Sequence, residues 1–499
     1  MSLQGFSVKL SRQILIAAGT IYAIILAIAS WKHVFWRDET QAWLLARDSH
    51  SPLSLVHNVR YEGTPPLWHF VLYFISHFTL NPGWMKIPNY IFSVAAAALI
   101  FSATKLPLWV RFGFVFSYFI LFEYAVIDRD YMIGVLLLLA TLTIFKNDRS
   151  DFRISIALSL AALTSLPALV VAVCLYPVHL APVISQWDIS KPGRWLRALS
   201  PKKTLTLIFF SACVLASLAI IRPPDGASTF LGHGQWVKLL RVMKFSNFTE
   251  AYLPAPDSFY FWNSSFFSLL GRFASTIVGF VLAVTLCFWL RCKQAKYFFI
   301  ITSSLLMGEM AVTKMFAMRH VGWLFIVFLL SVIIQSEDDF RHTSPETSQT
   351  SAWRSAFLAG ILIVQVGTGI FAIILSLRHP FSPSKQLTIF LQQQHLDHSP
   401  IVFLPDYIGG AVLAYLQRPT AYSTERRTQS SFMIWDKVEM RPHELPTKQE
   451  LFLAAENGTN PVLITEGPLT NRQMSDLGMK FVAKFDGALN ASDHYFVYK

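Results

Sequence analysis

Apolar runs recur along this chain at about 14–30, 88–104, 110–127, 131–145, 152–164, 166–185, 205–221, 266–290, 297–312, 321–335 and 356–377. About 20 apolar residues of α-helix cross a bilayer core. Inside lipid every backbone N–H and C=O needs an internal partner, so runs of this kind become helices. They predict about 11 transmembrane helices, an α-helical polytopic membrane protein, and composition allows it: 53% of the residues are hydrophobic and 14% charged. The first run follows Lys9 and Arg12 as in a signal peptide, but no small-residue cleavage site follows it and many spans do, so it is read as a retained helix.

The net charge of +12 belongs to short loops rather than to a nucleic-acid face. With the N-terminus cytoplasmic, the inside loops collect Lys105 and Arg111, then Lys146, Arg149 and Arg153, then Lys191, Arg194, Arg197, Lys202 and Lys203, then Arg291, Lys293 and Lys296. This satisfies the positive-inside rule. All four cysteines lie in or beside spans, which leaves no disulfide framework and no CxxC metal site. The segment Pro65–Leu80 is apolar enough to be mistaken for a span. It is short, opens on Pro65-Pro66 and carries His69 and His77, and counting it would move the loop from Lys191 to Lys203 outside; it is expected to lie along the interface.

The outer regions are then a first loop at 31–87, the turn 128–130, a loop at 222–265, the segment 314–320 and everything after about 378. Inside, the polar stretch 336–354 reads as a flexible connector without chemistry. Residues 378–499 change texture, with short apolar strands at 401–405 and 461–465, a last strand in HYFVYK, and helical patterns near 383–397, 407–416 and 447–457. They predict a small extracytoplasmic α/β domain in a supporting role beside a catalytic domain at 1–377. Gly409-Gly410 lacks the surroundings of a phosphate loop and reads as a turn or helix start.

Candidate chemistry gathers on the outer face. WRDETQAW at 36–43 places Asp38 and Glu39 side by side just past the first span. In the plain structural reading they are solvated or paired with Arg37 and Arg47. In the functional one, Asp38 is a base, and Glu39 orients an acceptor or joins Asp38 and one of Asp128 or Asp130 as hard oxygen ligands of a divalent cation, Mg2+ or Mn2+. Glu62 precedes the rigid Pro-Pro, which suits a helix start and aims the loop at a site; the alternative is an ion pair with Arg60. Arg129 and Tyr131 flank the end of a span, where arginine matches a phosphate and Asp128 or Asp130 are its structural alternatives. Lys314, Arg319 and His320 form a second basic cluster, expected to carry the stronger field because no carboxylate follows Glu309. His33, His57 and His77 have no partners at metal-ligand spacing and read as interface residues, like the tryptophans around the first loop.

WRDETQAW, YEGTPPLW at 61–68, EYAVIDRDY at 123–131 and MRHVGWLF at 318–325 occur in an order that resembles the GT-C superfamily of integral-membrane glycosyltransferases. The branch is that of the protein O-mannosyltransferases and lipid A aminoarabinose transferases, and the resemblance spans about the first 335 residues. It implies an Asp-Glu pair with Asp38 as base, juxtamembrane helices in the first loop, and a sugar donor on a polyprenyl phosphate. The branch often has His before Pro-Pro, where this chain has Thr64; that role is absent or has passed to His69. The function expected is inverting transfer of a hexose or pentose to a hydroxyl of a glycan, lipid or protein acceptor, by a multi-pass protein of the bacterial inner membrane, with membrane lipids as partners. A transporter or flippase of lipid-linked precursors is the alternative, but its ionisable groups belong near mid-membrane, whereas Glu123 and Glu309 lie near outer ends.

Overall fold

A computed structural model describes residues 3–144, 152–184, 201–225, 244–254, 267, 271–342, 352–418, 420–438, 444–455 and 460–499. Lys146, Arg149, Lys191, Arg194 and Arg197, most of the 222–265 loop and part of the 336–354 connector lie outside the described residues.

The chain opens with α1 (Leu3–Lys32), followed by α2 (Arg37–Asp48), α3 (Pro52–Val59) and α4 (Leu67–Ser76), then α5 (Lys86–Ser102), α6 (Leu108–Val115), α7 (Tyr131–Thr143), α8 (Phe152–Ala162), α9 (Leu166–Ile184) and α10 (Pro201–Ile221). Further on come α11 (Ser246–Tyr252), α12 (Arg272–Trp289), α13 (Lys293–Thr313), α14 (Met318–His342) and α15 (Ala352–Arg378). Among the described residues, six helices are long and apolar enough to cross a membrane, spanning Arg12–Lys32, Pro82–Ser102, Pro201–Ile221, Lys293–Thr313, Met318–Asp338 and Ala352–Arg378. Helix α14 is the hub of the bundle: 94% of its apolar window is buried, against 28% for α1, whose Ile16, Ile21, Ile24 and Ile28 face outward as a lipid-facing side does. Helix α4, with 10 residues and an extent of about 15 Å, is too short to span, as an interfacial helix is.

The run at 110–127 is not one continuous helix. Helix α6 stops at Val115 and a π-helical turn occupies Phe119–Glu123. The carbonyls released there are met by side chains: Tyr22 donates to the Ile120 oxygen at 2.7 Å, and Asn89 donates to those of Ala125 and Tyr124 at 3.0 and 3.3 Å. Irregular backbone is tolerated among apolar helices when buried and internally bonded in this way. The break re-aims the chain so that 124–130 turns toward α2.

After α15 the chain builds α16 (Ser384–Gln393), β1 (Ile401–Leu404), α17 (Gly410–Leu416), β2 (Ala421–Ser423), β3 (Thr428–Ser430), α18 (Lys448–Ala454), β4 (Val462–Thr465), α19 (Asn471–Leu477), β5 (Phe481–Phe485) and β6 (Tyr495–Tyr498). The six strands form one sheet in the order β3-β2-β1-β4-β6-β5, parallel across β2-β1-β4 and antiparallel elsewhere. Strands β1 and β4 are buried on both faces, which is why they read as unbroken apolar runs. Ile401 and Phe403 pack with α16 and α17, and Val402 and Leu404 with α18. Strands β2, β3 and β5 and helix α19 escape the sequence reading because they are short and partly polar. Gly409 and Gly410 lead into α17 as a helix start. Ala414 of α17 shares an apolar core with Trp43, Leu44 and Trp68, so the sheet domain is seated on the first loop.

Candidate active site

Trp36 caps α2, so Asp38 and Glu39 stand in its first turn, where free backbone N–H groups and the helix dipole favour carboxylates. Successive residues on a helix diverge by about 100°, and the two carboxylates part accordingly. Glu39 is fully buried: its oxygens accept the Trp36 N–H at 3.1 Å and the Asp128 N–H at 2.8 Å, and both lie 2.9 Å from His33 Nε2. With both oxygens engaged in this way, it ties the 124–130 turn against α2. His33, expected at the interface, is instead buried against it, because six residues of chain reversal bring it under the helix start.

Asp38 faces the other way. Its Oδ2 accepts from Arg129 Nη1 at 2.9 Å and from Arg319 Nη2 at 3.2 Å, joining residues 91 and 281 positions away. Neither Arg37 nor Arg47 takes it: Arg37 pairs with Glu466 at 3.2 Å and Arg47 with Asp48 at 2.7 Å. The expected contrast between a neutralised Arg129 and an unopposed Arg319 also fails, since both rest on the same oxygen. Tyr124 anchors the second arginine by donating to the Arg319 carbonyl at 2.7 Å.

These groups line a cavity of about 220 Å³. Asp38, Glu62, His69, Asp128, Arg129, Tyr131, Arg319 and His320 are all in its wall, with Glu309 beside them. Glu39 lies behind the wall. Lys314 is exposed in a left-handed conformation with φ 59°, where it ends α13, and does not reach the cavity. Thr64, in place of the branch's histidine, donates to Asp130 Oδ2 at 3.0 Å. Glu62 is not paired with Arg60; it accepts from Gln41 Nε2 at 2.7 Å.

The local electrostatics favour an anion. Burial raises Glu62 to about 7, against the opposing hydrogen bond from Gln41 and the nearby Arg129. Burial, and then Glu39, push Asp128 well above the ordinary carboxylate range, and burial raises Asp130. Burial and Arg129 lower His69 to about 3, which disfavours a charged ring in the cavity wall. Burial opposes the charge of Arg129, but Tyr131, Asp38 and Asp130 outweigh it and leave the guanidinium more firmly protonated. Three guanidiniums, those of Arg37, Arg129 and Arg319, thus share the wall with the Glu62, Asp128 and Asp130 carboxyls, whose charge is disfavoured by burial. The carboxylates expected as cation ligands do not fit that role: the Asp38 oxygen carries two guanidinium donors and Glu39 is engaged by His33 and two N–H groups. Among the described residues no cluster of three or more His, Cys, Asp or Glu is arranged to hold a metal.

The C-terminal domain is more than the support expected of it. Tyr407, Gly410, Met433 and Trp435 complete the cavity wall. Gln41, one turn after Asp38, donates to the Met433 carbonyl at 2.8 Å and accepts the Met433 N–H at 3.0 Å. Glu466 takes both Arg37 and, at 3.1 Å, the Tyr407 hydroxyl. Arg37 and Gln41 stood in view inside WRDETQAW, and helical spacing puts Gln41 on the Asp38 side. Nothing local to Tyr407 or Trp435 announces a site some 370 residues from Asp38.

No family model and no curated protein matches this chain. Solved structures do. The crystal structure of ArnT from Cupriavidus metallidurans in the apo state aligns over 100% of this chain and 98% of its own, with a TM-score of 0.53 and 11% identity. The structure of the same protein bound to undecaprenyl phosphate aligns over the same shares, with a TM-score of 0.52 and 10% identity. The chain therefore shares the fold of these ArnT structures.

Proposed function

We propose that this protein is an inverting glycosyltransferase that moves a sugar from a polyprenyl-phosphate donor to a hydroxyl acceptor at the outer membrane face, with Asp38 as general base. The observation that carries the reading is one carboxylate oxygen shared by Arg129 and Arg319 in the wall of a cavity. A base and two planar forks suited to phosphate lie within one contact of each other. In the reaction, the acceptor oxygen bonds to C1 of the sugar as the bond from C1 to the phosphate oxygen breaks. The acceptor proton passes to Asp38, and the departing phosphate gains charge that the arginines stabilise. Single displacement inverts the anomeric centre. The likeness to a protein solved with undecaprenyl phosphate supports a lipid-linked donor, and such a donor enters sideways from the bilayer where no nucleotide sugar is available.

The test is transfer by the purified protein from radiolabelled polyprenyl-phosphate hexoses and pentoses to envelope lipid and glycan extracts. The expected result is labelled product and released polyprenyl phosphate, with Asp38→Asn slower by a factor on the order of 10² or more. Undiminished turnover in Asp38→Asn would remove Asp38 as the base.

A further inference from the structure

The wall that the C-terminal domain contributes brings two aromatic rings, those of Tyr407 and Trp435, to the cavity. The Tyr407 and Trp435 rings are stacked, with centroids 6.3 Å apart and planes 29° from parallel. The Arg37 guanidinium lies over the Tyr407 ring, 4.7 Å from its centroid. Trp435 is partly exposed and lines the cavity together with Glu62. The segment that carries it does not hang free: Gln41 grips Met433 through both backbone groups, and Arg426 donates to the Ile434 carbonyl at 2.8 Å. The backbone leading into Trp435 is therefore fixed, and its ring rests on Tyr407.

An indole face is negative and does not favour a phosphate. It suits a group with an apolar C–H face and a polar edge. Resting on the proposed function, we infer that Trp435, backed by Tyr407, is the stacking platform of a saccharide subsite, with Glu62 and Arg37 placed to meet the hydroxyl edge of the ring. The C-terminal domain then sets which sugar ring is accepted, while Asp38, Arg129 and Arg319 act on the bond. Trp435 touches the ring and not the reacting atoms, so it is a binding residue.

The ring belongs either to the donor or to the acceptor, and binding measurements on the full-length protein in nanodiscs separate the two. Three probes are titrated: polyprenyl phosphate without sugar, the polyprenyl-phosphate sugar that supports transfer, and the acceptor extract that receives the label. For a donor ring, Trp435→Ala weakens the sugar-bearing lipid about tenfold, Trp435→Phe weakens it less, and both leave bare polyprenyl phosphate unchanged. For an acceptor ring, donor binding is unchanged and the acceptor half-saturation rises about tenfold, again with partial rescue by phenylalanine. Equal weakening of the bare and the sugar-bearing lipid, or no change in any of the three, overturns the subsite while leaving the transferase reading intact. A wild-type protein that neither binds nor transfers from any sugar-bearing lipid overturns the transferase reading, and the subsite with it.

Discussion

At the scale of single residues, the site is a competition for charge around Asp38. Arg129 and Arg319 hold the same oxygen, so a donor phosphate must share them with it. Arg319→Ala is expected to weaken the donor by about 1.5–3 kcal/mol, the worth of a charge-assisted hydrogen bond, with acceptor half-saturation little changed. Donor titrations at fixed acceptor check this, and an unaltered donor half-saturation would leave the phosphate to Arg129 alone. Glu62 adds a pH dependence. With its value raised to about 7, it is neutral below that pH and adds a negative charge to the cavity above it. Donor affinity should fall several-fold as pH rises through about 7, and Glu62→Gln should hold the acidic-side affinity across the range. A profile that is the same in wild type and Glu62→Gln would assign the titration elsewhere. Asp38 was legible in the sequence because two carboxylates after a span are rare in so apolar a chain. The division of labour in the pair was not, because adjacent residues on a helix look alike in sequence and face apart in space.

At the scale of elements, two close approaches keep the 119–130 stretch in register. Glu39 is the first. Replacing it with Gln leaves one acceptor oxygen where His33, Trp36 N–H and Asp128 N–H need a carboxylate, and places an NH₂ against donors. Glu39→Gln should cost about 1–3 kcal/mol of stability, read as a lower melting temperature in detergent; an unchanged melting temperature would make Glu39 dispensable to the fold. Gly322 on α14 is the second, since a Cβ there would lie 2.4 Å from the Phe119 ring and 2.5 Å from the Tyr124 hydroxyl. Gly322→Ala should displace Tyr124, which positions Arg319, at a cost of about 1–3 kcal/mol for overpacking. Full stability and full donor affinity in that variant would show that the contact yields freely. The π-helical turn between these points was hidden in the sequence, because an apolar run of helical length reads the same whether continuous or broken.

At the scale of the whole molecule, the proposed orientation makes a direct prediction. In a variant freed of its four native cysteines, single cysteines at Asn81 and Gln429 should react with an impermeant maleimide in intact spheroplasts, and one at Thr104 should not; labelling at Thr104 alone would invert the topology. What the sequence by itself determined is the membrane setting, the mostly helical class and the acidic pair in the first loop. These rest on local properties: run length, apolar composition, and acidic or basic residues at helix ends. The buried strands β1, β4 and β6 were readable for the same reason, as short apolar runs between turns. Only the tertiary structure decided which charges meet. Arg129 and Arg319 reach Asp38, and Tyr407 and Trp435 join the wall of its cavity, because the broken run, the central helix α14 and the seating of α17 on α2 bring distant segments together. Contacts between residues separated by 91 and 281 positions depend on how helices pack, and packing is a property of the assembled core that no stretch of sequence carries alone.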